Sequence, residues 1–167
     1  MKMDGPMKRS SATLVVGLGN PILTDDGVGI HVVREVAARC QRGGVTFVEA
    51  SAGGLRLLDT IAGYDCAIIV DAVQTRAGKP GDVYRLCLDD LRAWQTSFYS
   101  VSTHSLSLPD ALALGRSLGL ALPGDDALVV IAVAVEDVLT FSEACTAAVA
   151  AAIPRAVEAV LAELIGG

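Results

Sequence analysis

TLVVGLGNPILTDDGVG, residues 13–29, decides the fold class: an apolar β-branched run passes through a glycine turn and delivers two adjacent carboxylates to the start of a helix. Thr13 to Val16 has the make-up of a strand buried on both faces. Gly17 and Gly19 allow close approaches or backbone angles that a Cβ would block, and Asn20-Pro21 make the turn. Asp25 reads as the N-cap of a helix with apolar positions Val28, Ile30, Val32, Val33, Val36 and Ala37. Asp26 then falls in the first turn, where the helix dipole favours a carboxylate. A strand, a loop and a capped helix account for Asp25, but they leave Asp26 and the glycines together unexplained.

Working outward, the helix is expected to end near Arg42, before Gly43-Gly44, and Val45 to Ala50 to form a second strand. A short helix from Gly54 to Ile61 precedes a third, wholly apolar strand, Cys66 to Val70, that ends in Asp71. This strand–helix–strand rhythm implies parallel pairing through right-handed crossovers and a doubly wound α/β sheet. The next connection, Ala72 to Gly81, is too short and too rich in Gly and Pro for a crossover helix, so Asp82 to Leu88 should run antiparallel. A polar stretch from Gln95 to Thr103 leads to His104, followed by a helix with Pro109 in its first turn. Ala127 to Val135 is the last strand, and Phe141 to Ile165 is Ala-rich and helical, with Pro154 expected to kink or split it.

The 167 residues suit one domain with a sizeable core: residues 1–12 read as a loose tail and 13–167 as a single α/β domain. Nineteen acidic against thirteen basic residues argue against a nucleic-acid partner. The longest apolar runs fall short of the roughly 20 residues of a membrane span. Cys40, Cys66, Cys87 and Cys145 are scattered without a CxxC pair, as expected of reduced, buried residues in a cytoplasmic protein.

Ligands of open α/β sheets bind outside the carboxyl ends of the strands. There the reading places Asp26 after strand one, Asp71 after strand three and His104 in the loop before a helix. Two carboxylates and an imidazole suit a divalent transition metal, Ni, Zn, Mn or Fe, while leaving positions open for other ligands. Each could instead be a cap or hydrogen-bond acceptor. Glu136, just beyond the last strand, is an auxiliary candidate, whereas His31, inside the first helix, reads as structural. No GxSxG elbow is present, and Ile22 stands where a dinucleotide-binding GxGxxG needs its third glycine.

VVGLGNPILTDDGVG, IIVDAV at 68–73 and STHSLSL at 102–108 resemble, in order and spacing, the hydrogenase maturation endopeptidases. The resemblance spans about residues 13–165 and implies a three-layer α/β/α sandwich with a five-stranded mixed sheet, one strand antiparallel, of phosphorylase/hydrolase-like type. It implies an endopeptidase that removes the C-terminal peptide of a [NiFe]-hydrogenase large-subunit precursor after nickel insertion. Asp26, Asp71 and His104 would be both the catalytic set and the contacts to nickel, supplied by the substrate, at a site other divalent metals could occupy. Gly19, Asn20, Glu49, Gly53 and Gly54 would contact the substrate. Where many relatives have a DGGT-like segment, this chain has Glu49-Ala50-Ser51-Ala52-Gly53-Gly54, which leaves substrate choice open. A monomer with no membrane partner is expected. VGLGNP also resembles the opening of peptidyl-tRNA hydrolases, against which the acidic balance counts, and a protein that binds the metallated precursor without cutting it would have the same sequence features.

Overall fold

The computed structural model describes residues 11–51, 53–94, 98–101 and 107–166, with 98–100 described by their backbone alone. Four strands, β1 (Thr13–Leu18), β2 (Val45–Ala50), β3 (Cys66–Thr75) and β6 (Leu128–Ala134), pair in parallel, and β4 (Val83–Leu86) runs antiparallel to β6. The order is β2-β1-β3-β6-β4. A short β5 (Phe98–Ser100), off this path, pairs antiparallel with the far end of β3, Val73 opposite Ser100. The five-stranded mixed sheet and its single antiparallel path strand are as expected; β5 is an addition.

Alternation along the strands divides the core in two. On one face Val15, Ile68, Val70, Ile131 and Val133 pack against α1 (Val28–Arg39) and α5 (Ala147–Gly166). On the other, Leu14, Val16, Ile69, Val130 and Ala132 pack beneath α2 (Leu55–Ile61), α3 (Leu88–Ala93) and α4 (Leu108–Ser117). Every residue of β1 and β6 is buried, as continuous apolar runs in a covered parallel sheet require.

Several boundaries differ from the sequence expectation. β3 continues through Asp71 to Thr75, because β6 and β5 supply ladder partners beyond it. Helix α1 ends at Arg39 rather than near Arg42, and Ala37 is exposed. The expected strand Asp82–Leu88 shortens to β4, after which the Asp90 carboxylate accepts the Cys87 N–H at 2.9 Å and starts α3. Pro154 does not split α5; the carbonyl partner its ring removes belongs to Ala150, which is exposed. Residues 141–146 are not helical, since their backbone bonds elsewhere. The proposed tail lies almost wholly outside the described residues.

Candidate active site at the carboxyl edge

Three glycines set how closely the first helix can approach the sheet. A Cβ on Gly17 would lie 2.8 Å from the Gly29 carbonyl carbon and 2.9 Å from Val33 Cγ2. One on Gly29 would lie 2.5 Å from the carbonyl oxygens of both Leu18 and Val70. Gly19, at φ +134°, would drive a Cβ into the Asp26 carbonyl. Backbone therefore packs on backbone where β1 ends: the first turn of α1 meets β3 at Val70, the residue that precedes Asp71, and the turn carrying Asp26 lies near the same strand.

Within that turn the Asp26 carboxylate accepts the Asn20 N–H at 3.0 Å. The Asn20 side-chain oxygen accepts Ile22 N–H at 3.2 Å, and its carbonyl accepts Leu23 N–H at 3.1 Å, so Asn20 closes the turn in two ways. Asp26 is 9% exposed and Asp71 4%. Alternation puts Asp71 on the sheet face of Ile69 and Val73, the face covered by α4. The structure thus brings two of the three proposed ligands to one edge. His104 lies outside the described residues, and among those described no group of three metal-ligating side chains occurs.

Asp25 is not the cap of α1. It sits in a 3-10 turn, Thr24–Gly27, and the N-cap of α1 is Gly27, with no side-chain bond. The fully buried Asp25 carboxylate instead accepts four hydrogen bonds: from Thr146 N–H at 2.7 Å, Thr146 Oγ1 at 3.1 Å, Asp137 N–H at 3.1 Å and Glu136 N–H at 3.2 Å. The Thr146 carbonyl in turn accepts Ala150 N–H, so Asp25 anchors the start of α5 through Thr146, the residue just before it and 121 positions from Asp25. Four donors satisfy the acceptor sites that burial would otherwise leave without partners.

Thr24, at φ +48°, is held in this unusual conformation by Ser142, whose carbonyl accepts its N–H at 2.9 Å, and by Thr140, whose carbonyl accepts its hydroxyl at 2.5 Å. Ser142 N–H returns a bond to Ile22 at 3.0 Å. This use of the backbone keeps residues 141–146 out of α5. Glu136 contributes its N–H to the network while the residue is exposed.

Glu49 ends on the same rim. It pairs with Gly17 in the sheet and binds Arg34 of α1 through two contacts of 2.8 Å. The Arg34 hydrogen bond holds its carboxyl below the usual range. Gly53 and Gly54 follow β2, and Gly54, at φ +65°, is the N-cap of α2. His31 is half-buried on α1, its Nε2 without a hydrogen-bond partner among the described residues. All four cysteines are free thiols and half-buried rather than fully buried. The Cys145 thiol faces the Thr24 carbonyl at 3.6 Å, and burial, with the charge of Asp25, pushes its pKa up to about 11. The sequence reading missed the four-donor role of Asp25 and the loop around it. No local pattern signals either.

A glycine-packed turn and two buried carboxylates at the carboxyl edge of a doubly wound sheet define the class: an α/β protein with an acidic strand-end site. The description "HycI: Hydrogenase maturation protease" belongs to the family model that matches residues 30–163, and the chain belongs to the hydrogenase maturation protease family. It is 33% identical over 107 residues to the Hydrogenase 2 maturation protease of Escherichia coli K12, a span that makes up 64% of each chain and so less than two thirds of that relative. The solved hydrogenase maturating endopeptidase HybD from E. coli aligns at 32% identity over 92% of both chains, with a TM-score of 0.76. The [NiFe] hydrogenase maturation protease HybD from Thermococcus kodakarensis shares the fold, with 22% identity, a TM-score of 0.67 and coverage of 90% of this chain and 97% of its own. The likeness to peptidyl-tRNA hydrolases rests on VGLGNP alone, whereas the family match runs over most of the chain.

Proposed function

We propose that this chain is the endopeptidase that trims the C-terminal peptide from a [NiFe]-hydrogenase large-subunit precursor once nickel is in place. Asp26, Asp71 and His104 read the nickel carried by the substrate. The observation that supports this reading is the position of Asp26 and Asp71, both at least nine-tenths buried, on a 3-10 turn and a strand that pack together at the carboxyl edge. Two buried carboxylates at one strand edge are hard anionic donors of the kind a divalent cation takes. The site is therefore better matched to a metal-loaded substrate than to an empty one, which makes cleavage conditional on loading. Asp26, Asp71 and His104 would hold such a metal, which would supply Lewis-acid chemistry to the scissile carbonyl or to water. This chain's part is to present Asp26, held by the Gly19–Asn20 turn, and Asp71, held in β3, with Gly19, Asn20, Glu49, Gly53 and Gly54 lining the approach.

The processing takes place in the cytoplasm, consistent with four free thiols. No helix among the described residues is long and apolar enough to cross a membrane.

Incubation with nickel-loaded and nickel-free precursor, followed by intact mass, tests the reading. Loss of a C-terminal fragment from the loaded form alone is expected. A precursor left intact in a demonstrated complex would instead make the chain a binding protein. His104→Ala should abolish processing and leave the melting temperature near that of the wild type.

A further inference from the structure

Resting on the proposed function, we infer that Ile22, Leu139 and Phe141 form a preset apolar docking surface for the body of the precursor. They are 47%, 83% and 79% exposed. Leu23 and Ser142 form an isolated parallel bridge, which sets Phe141 beside Ile22 in register. The residues around them are fastened: Thr24 to Thr140 and Ser142, Ser142 to Ile22, and the Asp137 carboxylate to the N–H groups of Thr140 at 2.9 Å and Leu139 at 3.1 Å. Hydrogen bonds, first of all from Thr140, hold the Asp137 carboxyl below its usual range. Three large apolar side chains are thus presented to solvent on a braced backbone, with the ordering cost of binding already met in part.

The occupant follows from position and charge. Ile22 lies four residues before Asp26 on the same turn, so a substrate whose metal reaches Asp26 passes over this surface. A second copy seated there would cover the turn that carries Asp26. Residues 136–146 contain Glu136, Asp137 and Glu143 and no Lys or Arg. The complementary partner surface is therefore apolar and flanked by basic side chains, and the folded precursor is expected to carry such a surface next to its nickel site.

Steady-state processing and equilibrium binding of nickel-loaded precursor by Leu139→Ser, Phe141→Ser, their double variant and Glu143→Lys test this. Leu118→Ser, which removes another exposed apolar side chain, is the control. The double variant should raise KM and Kd about tenfold or more, with kcat within about twofold and thermal unfolding unchanged. Glu143→Lys should raise KM and weaken its dependence on salt, and Leu118→Ser should match the wild type. A wild-type KM in the double variant would overturn the inference while wild-type cleavage leaves the proposed function standing. A concentration-dependent dimer dissolved by Phe141→Ser would overturn it too, by making the face an interface between copies. Wild-type protein that neither binds nor cuts the precursor, read before any variant, would sink the proposed function and this surface with it.

Discussion

A Cβ on Gly29 would lie 2.5 Å from the carbonyl oxygen of Val70, so α1 meets β3 backbone to backbone one residue before Asp71. That contact sets how the start of α1, just after Asp26, sits against β3. Gly29→Ala and Gly17→Ala push a methyl into backbone that cannot yield, and each should destabilise the fold by about 3 kcal/mol. Gly43→Ala meets nothing within 4 Å and should be neutral or slightly stabilising. Denaturant unfolding of the three variants makes the comparison.

Adjacent carboxylates should behave in opposite ways. Asp25→Asn turns one acceptor into a donor facing N–H groups, and a cost of about 2–4 kcal/mol is expected from the unsatisfied donors. Asp26→Asn keeps an oxygen for Asn20 and should lose processing with a much smaller change in stability. Chemical denaturation alongside a processing assay separates the two; equal losses of stability would remove the distinction.

Cys145 reports on Asp25. With its pKa pushed up to about 11, chiefly by burial and then by Asp25, it should resist iodoacetamide at neutral pH in the native protein. In Asp25→Asn the midpoint of its alkylation rate against pH should move down, though not to the value of a free thiol, because burial remains. Site-resolved mass spectrometry at a series of pH values reads the midpoint.

The Glu49–Arg34 pair gives a pH-dependent contribution of known sign. The carboxyl is held below its ordinary 4.5 in the folded chain, so its stabilisation is fully present above that pH and is lost as pH falls through the lower folded value. The pair is about half exposed, so the effect is small. Glu49→Gln should melt slightly below the wild type at pH 7, and the difference should shrink as pH falls from 4.5 through the lower folded value.

Much of the fold was legible because its signals are local. The burial of β1 on both faces follows from its unbroken apolar run, β2 was read to the residue, and the antiparallel β4 followed from a connection too short for a helix. Asp26 and Asp71 could be placed on one edge from the strand-end rule alone. Asp25 could not be understood this way, since the donors it satisfies come from residues 136–146, more than a hundred positions away. As an N-cap it made local sense; tertiary contact gave it a different helix to serve. The extension of β3, the appearance of β5 and the loss of helix at 141–146 have the same cause, because each depends on a hydrogen-bond partner supplied by a distant segment.

By itself, then, the sequence determined the α/β class, most strand positions and two acidic candidates, since apolar periodicity, glycine and chain connectivity act over a few residues. Only the tertiary structure decided which aspartate anchors a distant loop and which bonds its own turn, and that Phe141 stands beside Ile22 on the outside. Those outcomes turn on which backbone donors arrive from across the chain, and a buried carboxylate takes its role from the donors that reach it.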